Sequence, residues 1–569
     1  MPVWHLPEAP DSAAVDALAD ALSLPPALCA LLITRGITEP DEAKRFLRPP
    51  LEHTKAHESM AGVAQATARL VRAIDAGETI LVHGDYDVDG VCGAALYTLW
   101  FRRLGGTVVP FVPHRTRDGY DFGPAGLAAA QAAGATLVVT VDSGIQANAA
   151  VDEAARSGID VIVTDHHTVG DSLPRAVAVV NPHQLGCEYP FRHLCGTGVA
   201  YRLCEALGEA FDIPSDEIQA HLDLVALATV ADLVPLTGEN RTFVRVGLRT
   251  IEHSDKLGLR ALVERAELSG RRLDAGDVGF RLAPRINAAG RMEDAMSALR
   301  LLLTCDPGEA EALAGILDDA NRRRRKEERR MVDQVMEQLS AGFRPEEDYG
   351  LVLAGEGWHP GVIGIVASRV VERVHRPTVL VALDGQEGRG SGRSIPGFNI
   401  FEAVQACREH LGRFGGHPQA AGMDVARDSI AAFREAFNAQ ARSRLEGETL
   451  RPAISPEVEI ELEEATLELA HYLPYMGPFG MGNRAPLFVA RGVHLDGRAK
   501  VVGSNHLRVS LEQGGARLSG IGFGLADRIE PESLSDGPVD AVFQLREDHY
   551  RGVTRVDARF RDIRPSEVA

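Results

Sequence analysis

The seven cysteines of this chain are scattered, and no two form a C-x-x-C pair. That spacing excludes both a disulfide framework and a cysteine zinc site. No apolar stretch approaches the length needed to cross a bilayer. The opening Met1-Pro2-Val3-Trp4-His5-Leu6-Pro7 lacks the basic and long apolar regions of a signal peptide, so a cytoplasmic location is expected. Positive charge is also in deficit: 60 basic against 80 acidic residues leave a net charge of −20, which argues against indiscriminate coating of nucleic acid. A local basic channel is still allowed, because screening acts over about 8–10 Å. Residues 321–330 carry seven basic and two acidic side chains. Internal repeats and long low-complexity segments are missing too.

The most informative stretch is His83-Gly84-Asp85-Tyr86-Asp87-Val88-Asp89-Gly90, directly after the apolar run Thr79–Val82. Three carboxylates and an imidazole at the end of a buried strand are costly unless cations neutralise them. Oxygen and imidazole donors without thiolate suit Mg²⁺ or Mn²⁺. The segment Asp85–Gly90 imitates the start of an EF-hand, but the twelfth position is Leu96 rather than a bidentate Glu, and a strand precedes it where an EF-hand has a helix. The calcium reading is rejected. A solvated acidic loop is the bland alternative.

At 569 residues the chain should hold three or four domains. Residues 1–50 read as a helical lead-in ending at Arg48-Pro49-Pro50. From about 60 to 235, β-branched runs alternate with alanine-rich helical stretches, the pattern of a parallel α/β sheet. Candidate strands are Thr79–Val82, Thr107–Val112, Thr136–Val141, Val161–Thr164 and Ala176–Val180. Three run straight into polar residues, at His83, Asp142 and Asp165, and ligand crevices in such sheets lie beyond the carboxyl ends of strands. A long helix is predicted from Asp306 to Ala341 with Gly342 as its stop; its middle, 321–330, has no large apolar residue, which predicts a bridge between domains. A second α/β unit follows at 345–448 with glycine-rich stretches at 388–397 and 412–422. Short alternating strands after 450, as in Leu507/Val509/Leu511 and Val539/Ala541/Phe543/Leu545, predict a small β-barrel.

Asp142, His166 and Asp232 add to His83, Asp87 and Asp89, making six potential metal ligands. Taken singly, Asp232 is more readily a helix cap and His166 a hydrogen-bonded core histidine. Jointly they favour a metal site. Two metals sharing one carboxylate can clamp both the attacking and the leaving oxygen of a phosphoryl displacement.

HGDYDVDG at 83–90, VDSG at 141–144, TDHH at 164–167 and TVADLVPL at 229–236 resemble the four motifs of the DHH phosphoesterases. Within that superfamily the chain is similar to the RecJ family, whose members degrade single-stranded DNA from the 5′ end. The likeness continues in GENR at 238–241, PRINAAGR at 284–291, WHPGVIGI at 358–365, SGRS at 391–394, GGH at 415–417 with AAG at 420–422, and PFGMGN at 478–483. The resemblance implies an N-terminal helical segment (1–50), a DHH catalytic domain (51–305), a connecting helix (306–344), a DHHA1-like substrate-binding domain (345–449) and an OB-fold barrel (450–569). It implies one divalent ion on His83, Asp87 and Asp142, and another on Asp89, Asp142, His166 and Asp232, with Asp142 bridging. His167 would approach the scissile phosphate as donor or acid, and Asp85 would stand behind the ligands. One departure is Asp121, where relatives commonly carry glycine; it weakens the expectation of substrate contact for that loop, although Arg115 before it is a candidate phosphate contact.

For the nucleic-acid path, Arg281, Arg285 and Arg291 are read as flanking a loop at Asn287–Gly290, with Asn287 part of the site. Ser391, Arg393 and His417 are placed in glycine-rich loops able to approach a phosphate. For each arginine the bland reading is a surface salt bridge. Phe479, Tyr475 and Tyr550 could stack on bases, although core packing is the commoner fate. Arginines 322–325 are balanced between a solvated helix face and a DNA lining. The resemblance implies a two-metal exonuclease using Mn²⁺ or Mg²⁺, with roles in DNA repair and recombination. It implies single-stranded DNA, a helicase and a single-strand-binding protein as partners, no membrane, and a monomer. Two rivals stay open: a phosphoesterase of small molecules or short oligonucleotides, and a catalytically silent DNA-binding scaffold.

Overall fold

The computed structural model describes residues 2–51, 54, 57–115, 117–535, 537–550 and 552–566, with only the backbone of Tyr550. Its first sheet is built from β1 (Thr79–Gly84), β2 (Thr107–Phe111), β3 (Leu137–Val141), β4 (Asp160–Thr164) and β5 (Ala178–Val180), in the order β2-β1-β3-β4-β5 and parallel throughout. Its central strands are buried because helices cover both faces, the arrangement that right-handed βαβ crossovers impose. Register matters most here. Gly84 pairs with Val141 and Val141 with Thr164, so Asp85, Asp142 and Asp165 leave the sheet at one level.

Four helices frame that edge: α1 (Val88–Arg103), α2 (Gly196–Ala210), α3 (Leu222–Ala231) and α4 (Gly238–Glu252). The segment 284–291, expected to contain a loop, is instead α5 (Ala283–Met292). Ile286, Ala288 and Ala289 are buried along it. Their burial outweighs the poor helix propensity of Asn287 and Gly290. The long helix α6 runs Pro307–Gly342, starting and ending one residue later than expected.

The chain divides into two compact units. One comprises Met1–Ala283, Leu299–Glu311 and Ala453–Ala569; the other Pro284–Ala298 and Ala312–Pro452. α6 begins in the first unit and continues in the second, to which its polar middle belongs. There Arg322 pairs with Asp318 and Asp319, Arg323 with Glu293, and Arg324 with Glu328. Further along, Met331, Val335 and Leu339 enter that unit's core.

The second unit's sheet consists of β6 (Leu351–Glu356), β7 (Thr378–Asp384), β8 (Glu387–Arg393), β9 (Phe414–His417) and β10 (Ala420–Ala426), ordered β9-β10-β8-β7-β6. The glycine-rich stretches expected to be loops are thus strands. Close packing explains the glycines: a Cβ at Gly390 would lie 2.7 Å from Met423 Cγ.

The C-terminal strands are β11 (Val458–Glu459), β12 (Phe488–Leu495), β13 (Lys500–Val502), β14 (His506–Gln513), β15 (Ala516–Gly522), β16 (Val539–Tyr550) and β17 (Val553–Pro565). Pairing runs β12-β16-β17-β15-β14, and β14 pairs back to β12, closing the barrel. Leu507, Val509 and Leu511 point into its core, as do Val539, Ala541 and Phe543. The lead-in helices join this core through Leu28, Leu31 and Leu32. The GENR segment then fastens the barrel to the first sheet's helices. Arg241 donates to the carbonyls of Tyr475 (3.0 Å) and Gly477 (2.8 Å), and Arg245 to those of Leu47 and Tyr475.

Candidate metal centre at the sheet edge

His83 lies at the end of β1, and Asp85 and Asp87 follow in the turn before α1. Asp87 caps that helix, accepting the amides of Asp89 (2.9 Å) and Gly90 (3.2 Å). Such a cap fixes the carboxylate and places Asp89 in the first turn, where the helix dipole favours negative charge. Asp89 is pinned from the other side by the amino end of α2, through Gly196 N–H (2.6 Å) and Thr197 N–H (2.7 Å). Gly196 is required there, since a Cβ would fall 2.6 Å from Asp142 Cβ.

Asp142 leaves β3 with φ +59°, a left-handed conformation that costs a non-glycine residue about 1–3 kcal/mol and concentrates at functional sites. His166 and His167 follow β4. Asp232 comes from a different direction: it is the C-cap of α3, where its charge opposes the helix dipole. The bland reading as a cap is thus correct in position, but a carboxylate at a carboxyl terminus gains nothing from capping.

At this edge three sets of ligand atoms each fall within 4.8 Å: Asp85/Asp87/Asp142, Asp89/His166/Asp232 and Asp142/His166/His167. Asp142 Oδ1 is 3.1 Å from His166 Nε2, whose distances to Asp89 and Asp232 are 3.8 and 3.7 Å. Asp85 lies within the first of these groups, beside Asp87 and Asp142. His83 stays outside these three sets, packed edge-on against Phe122.

The donor set fits divalent cations. Both ring nitrogens of His83, and Asp85 Oδ1, are buried with no hydrogen-bond partner. Such orphans are expensive unless something absent from the polypeptide satisfies them. Burial lowers the His83 imidazole to about 4, keeping it neutral and free to ligate. Burial and neighbouring carboxylates push Asp85, Asp87, Asp142 and Asp232 above the ordinary carboxylate range. Hard cations are the economical remedy for that repulsion.

Two residues given no role on sequence grounds complete the centre. Asp165, in the TDHH motif, accepts the amides of Ile145, His166 and His167 and sits 2.7 Å from His167 Nδ1. Burial alone would lower His167, but Asp165 outweighs it and raises the imidazole to about 9. Tyr120 Oη lies 3.3–3.4 Å from the His167 ring nitrogens and 3.4 Å from the Asp142 carbonyl. Its ring meets Tyr86, over which Arg115 stacks at 4.8 Å.

Asp121 explains its departure from glycine. It holds φ +78°, and its Oδ1 accepts the amides of Phe122 (2.8 Å) and Gly144 (2.6 Å). The second bond ties the Tyr120 loop to the turn that carries Asp142. Asp121→Gly should relax the backbone yet lower kcat about tenfold, whereas Asp121→Asn, which keeps an acceptor oxygen, should stay near full activity. Steady-state kinetics with thermal melting check this; equal kcat in both variants would remove the tie from consideration.

The remaining candidates belong to the second unit. Arg285 is paired with Asp318 at 3.0 Å, and Arg291 donates to the Gly361 carbonyl at 2.9 Å. Asn287 is half-buried on α5, not in a loop. Arg393 ends β8, donating to Ser391 Oγ and the Gly392 carbonyl. It is paired with Ala420, which also pairs with exposed His417, so these side chains occupy neighbouring strand ends instead of loops. In the first unit, Tyr475 stacks beneath Arg48 and Arg245 at the barrel junction, and Phe479 packs partly against the barrel core. The Tyr550 side chain lies outside the described residues.

Comparisons with known proteins agree with this architecture. Residues 79–229 match the DHH family, N-terminal domain; 347–443 the DHHA1 domain; and 457–562 the RecJ OB domain. The chain is 37% identical over 565 residues to the single-stranded-DNA-specific exonuclease RecJ of Dickeya dadantii, covering 95% of this chain and 96% of that one. Identity to the protein of that name from Escherichia coli is 36%, with the same coverages. Against the Bacillus subtilis protein it is 37%, covering 91% of this chain but only 65% of the longer relative. The crystal structure of RecJ in complex with Mn²⁺ from Thermus thermophilus superimposes with a TM-score of 0.86 at 32% identity, covering 100% of this chain and 80% of that one. A mixed α/β chain with this domain order, aligned almost end to end with such relatives, belongs to the RecJ family of DHH proteins.

Proposed function

We propose that this chain is an exonuclease that hydrolyses single-stranded DNA 5′→3′ to nucleoside 5′-monophosphates with two divalent cations, Mn²⁺ or Mg²⁺. The observation that carries the reading is the convergence of Asp85, Asp87, Asp89, Asp142, His166 and Asp232 at one sheet edge, with buried orphan atoms alongside. In this reading His83, Asp87 and Asp142 would hold one ion and Asp89, Asp142, His166 and Asp232 the other, with Asp85 near the first. The ions would supply Lewis-acid stabilisation of charge on the phosphate and the leaving oxygen.

The chain's own residues do the rest. The amides on Asp87 and Asp89 hold those carboxylates in place before substrate arrives, so no reorganisation is needed. His167, oriented through Nδ1 by Asp165, presents Nε2 to the phosphate or departing oxygen. Arg115, backed by the Tyr86 ring, contacts an adjacent phosphate. Arg285, Asn287, Arg291, Ser391, Arg393 and His417 are the proposed contacts to the 5′ region of the strand. The helical (1–50), DHH (51–305), connecting (306–344), DHHA1-like (345–449) and OB (450–569) segments are its proposed functional divisions. A monomer in the cytoplasm, working with a helicase and a single-strand-binding protein in repair and recombination, completes the proposal.

The test is digestion of oligonucleotides labelled at either end, single- and double-stranded, with Mn²⁺, Mg²⁺ or chelator. A 5′ label should appear at once as mononucleotide from single strands only, and chelator should abolish its release. Early loss of a 3′ label would reverse the polarity. Consumption of dinucleotides with long strands left intact would point to the short-substrate phosphoesterase instead.

A further inference from the structure

The loop 181–195 joins β5 to α2 within the first unit, and hydrogen bonds along its length fasten it beside the metal centre. At its start, Asn181 Nδ2 donates to the His167 carbonyl (2.9 Å), and Asn181 Oδ1 accepts the His183 amide (2.7 Å). Directly after its end come the Gly196 and Thr197 amides that hold Asp89. Between these points the His193 carbonyl accepts from Asn240 Nδ2, which also donates to the Pro235 carbonyl (3.0 Å) in the turn after Asp232. The loop is thus tied to three of the motifs that build the centre.

This tethered segment carries exposed His183, Arg192 and His193, which line a cleft of about 470 Å³. The three are neighbours, and they are near the centre. Burial, then the charges of Arg192 and His193, lower the His183 imidazole, and His167 acts on it in the same sense. Among the described residues Arg192 has no ion pair, and Glu188, the carboxylate in the same lining, has none either. An arginine held beside a phosphodiester site without an acidic partner presents its donor fork to phosphate.

We propose that Arg192 is a specificity-determining residue that grips the phosphate one linkage to the 3′ side of the scissile one, with His183 and His193 lining that subsite. The inference rests on the exonuclease reading, in which residues of the second unit take the 5′ region and the first unit receives the strand beyond the scissile linkage. A substrate gains the contact only if it extends past that linkage by one further phosphate. Arg192 therefore makes the chain favour oligonucleotides over dinucleotides.

The test measures kcat/KM with Mn²⁺ on a 5′-phosphorylated thymidine dinucleotide, which lacks the further phosphate, and on the trinucleotide, which has it. Arg192→Ala in the full chain should lose about tenfold on the trinucleotide, the scale of one charge-assisted hydrogen bond, and stay within about twofold on the dinucleotide. Arg192→Lys should recover part of the loss. A neutral methylphosphonate in place of the further phosphate should cost the unsubstituted chain a similar factor and cost Arg192→Ala almost nothing, because the pair is already broken. The rise in melting temperature on adding Mn²⁺ should be the same in both, showing the metal centre intact. Equal losses on the two substrates would overturn the proposal, as would a methylphosphonate penalty as large in Arg192→Ala as in the unsubstituted chain; either leaves the exonuclease reading standing. Failure of the unsubstituted chain to cleave either oligonucleotide would instead sink that reading and the subsite with it.

Discussion

Asp142→Ala should lower turnover of single-stranded DNA by at least about 10³-fold, or roughly 4 kcal/mol of transition-state stabilisation, while leaving strand binding within about threefold. The asymmetry follows from where the carboxylate sits. Asp142 belongs to two of the three ligand groups, its side chain is 4% exposed, and it lies at the strand end shared by the β1 and β4 turns. Among the described residues no other carboxylate belongs to two groups. Stability should move the opposite way. Without metal, Asp142 is repelled by Asp89, Asp87, Asp232 and Asp85. Removing it should leave the metal-free melting temperature unchanged or raised. The rise in melting temperature on adding Mn²⁺, present in the parent because binding to the folded state stabilises it, should shrink or vanish. Calorimetry or dye-monitored melting with and without Mn²⁺ reads both effects. Full turnover in this variant would end the bridging assignment.

The second large effect is expected at His167. Its side chain is 34% exposed against 12% for His166, so it is the accessible member of the pair. His166 is enclosed by Asp89, Asp142 and Asp232, while His167 is oriented by Asp165 and flanked by Tyr120. His167→Ala should therefore lower kcat by about 10²–10⁴-fold, the usual range for a positioned proton donor. KM and the number of Mn²⁺ bound should change little. His166→Ala should instead lower metal affinity. Asp165→Asn should give an intermediate loss in kcat, because the ring loses its orienting charge but keeps a hydrogen-bond partner. Titrating Mn²⁺ by calorimetry beside steady-state kinetics separates the three variants. Loss of metal binding in His167→Ala would make it a ligand and not a donor.

Much of the site was legible because strand ends announce themselves. An apolar β-branched run that stops at an acidic or histidine residue gives both the strand and its open edge; this held at Val141 and Thr164, while the first strand runs two residues past Val82 to Gly84. Asp232 was legible for another reason: a carboxylate inside a buried apolar helix needs a partner. Asp165 and Tyr120 drew no assigned role because their roles are relations. One is defined by four donors converging on a carboxylate, the other by a hydroxyl reaching a histidine 47 residues away. The misread loops have a similar cause. Glycine and asparagine at 287–290, and glycines at 388–392, signal breaks by propensity. Buried neighbours held the first as a helix, and close strand packing at Gly390 made the second a strand.

By itself the amino-acid order determined the parallel sheet, the polar edge where three strands stop, the barrel's alternating pattern and the donor types that suit hard cations. These are properties of periodicity and chemistry within short windows. Tertiary structure decided which donors share an ion-sized space, that Asp85 lies beside Asp87 and Asp142, that Asp121 braces the Asp142 turn, and that the lead-in helices complete the barrel core. Those outcomes depend on register and on side chains packing across hundreds of residues, where differences of an ångström separate a ligand from a neighbour.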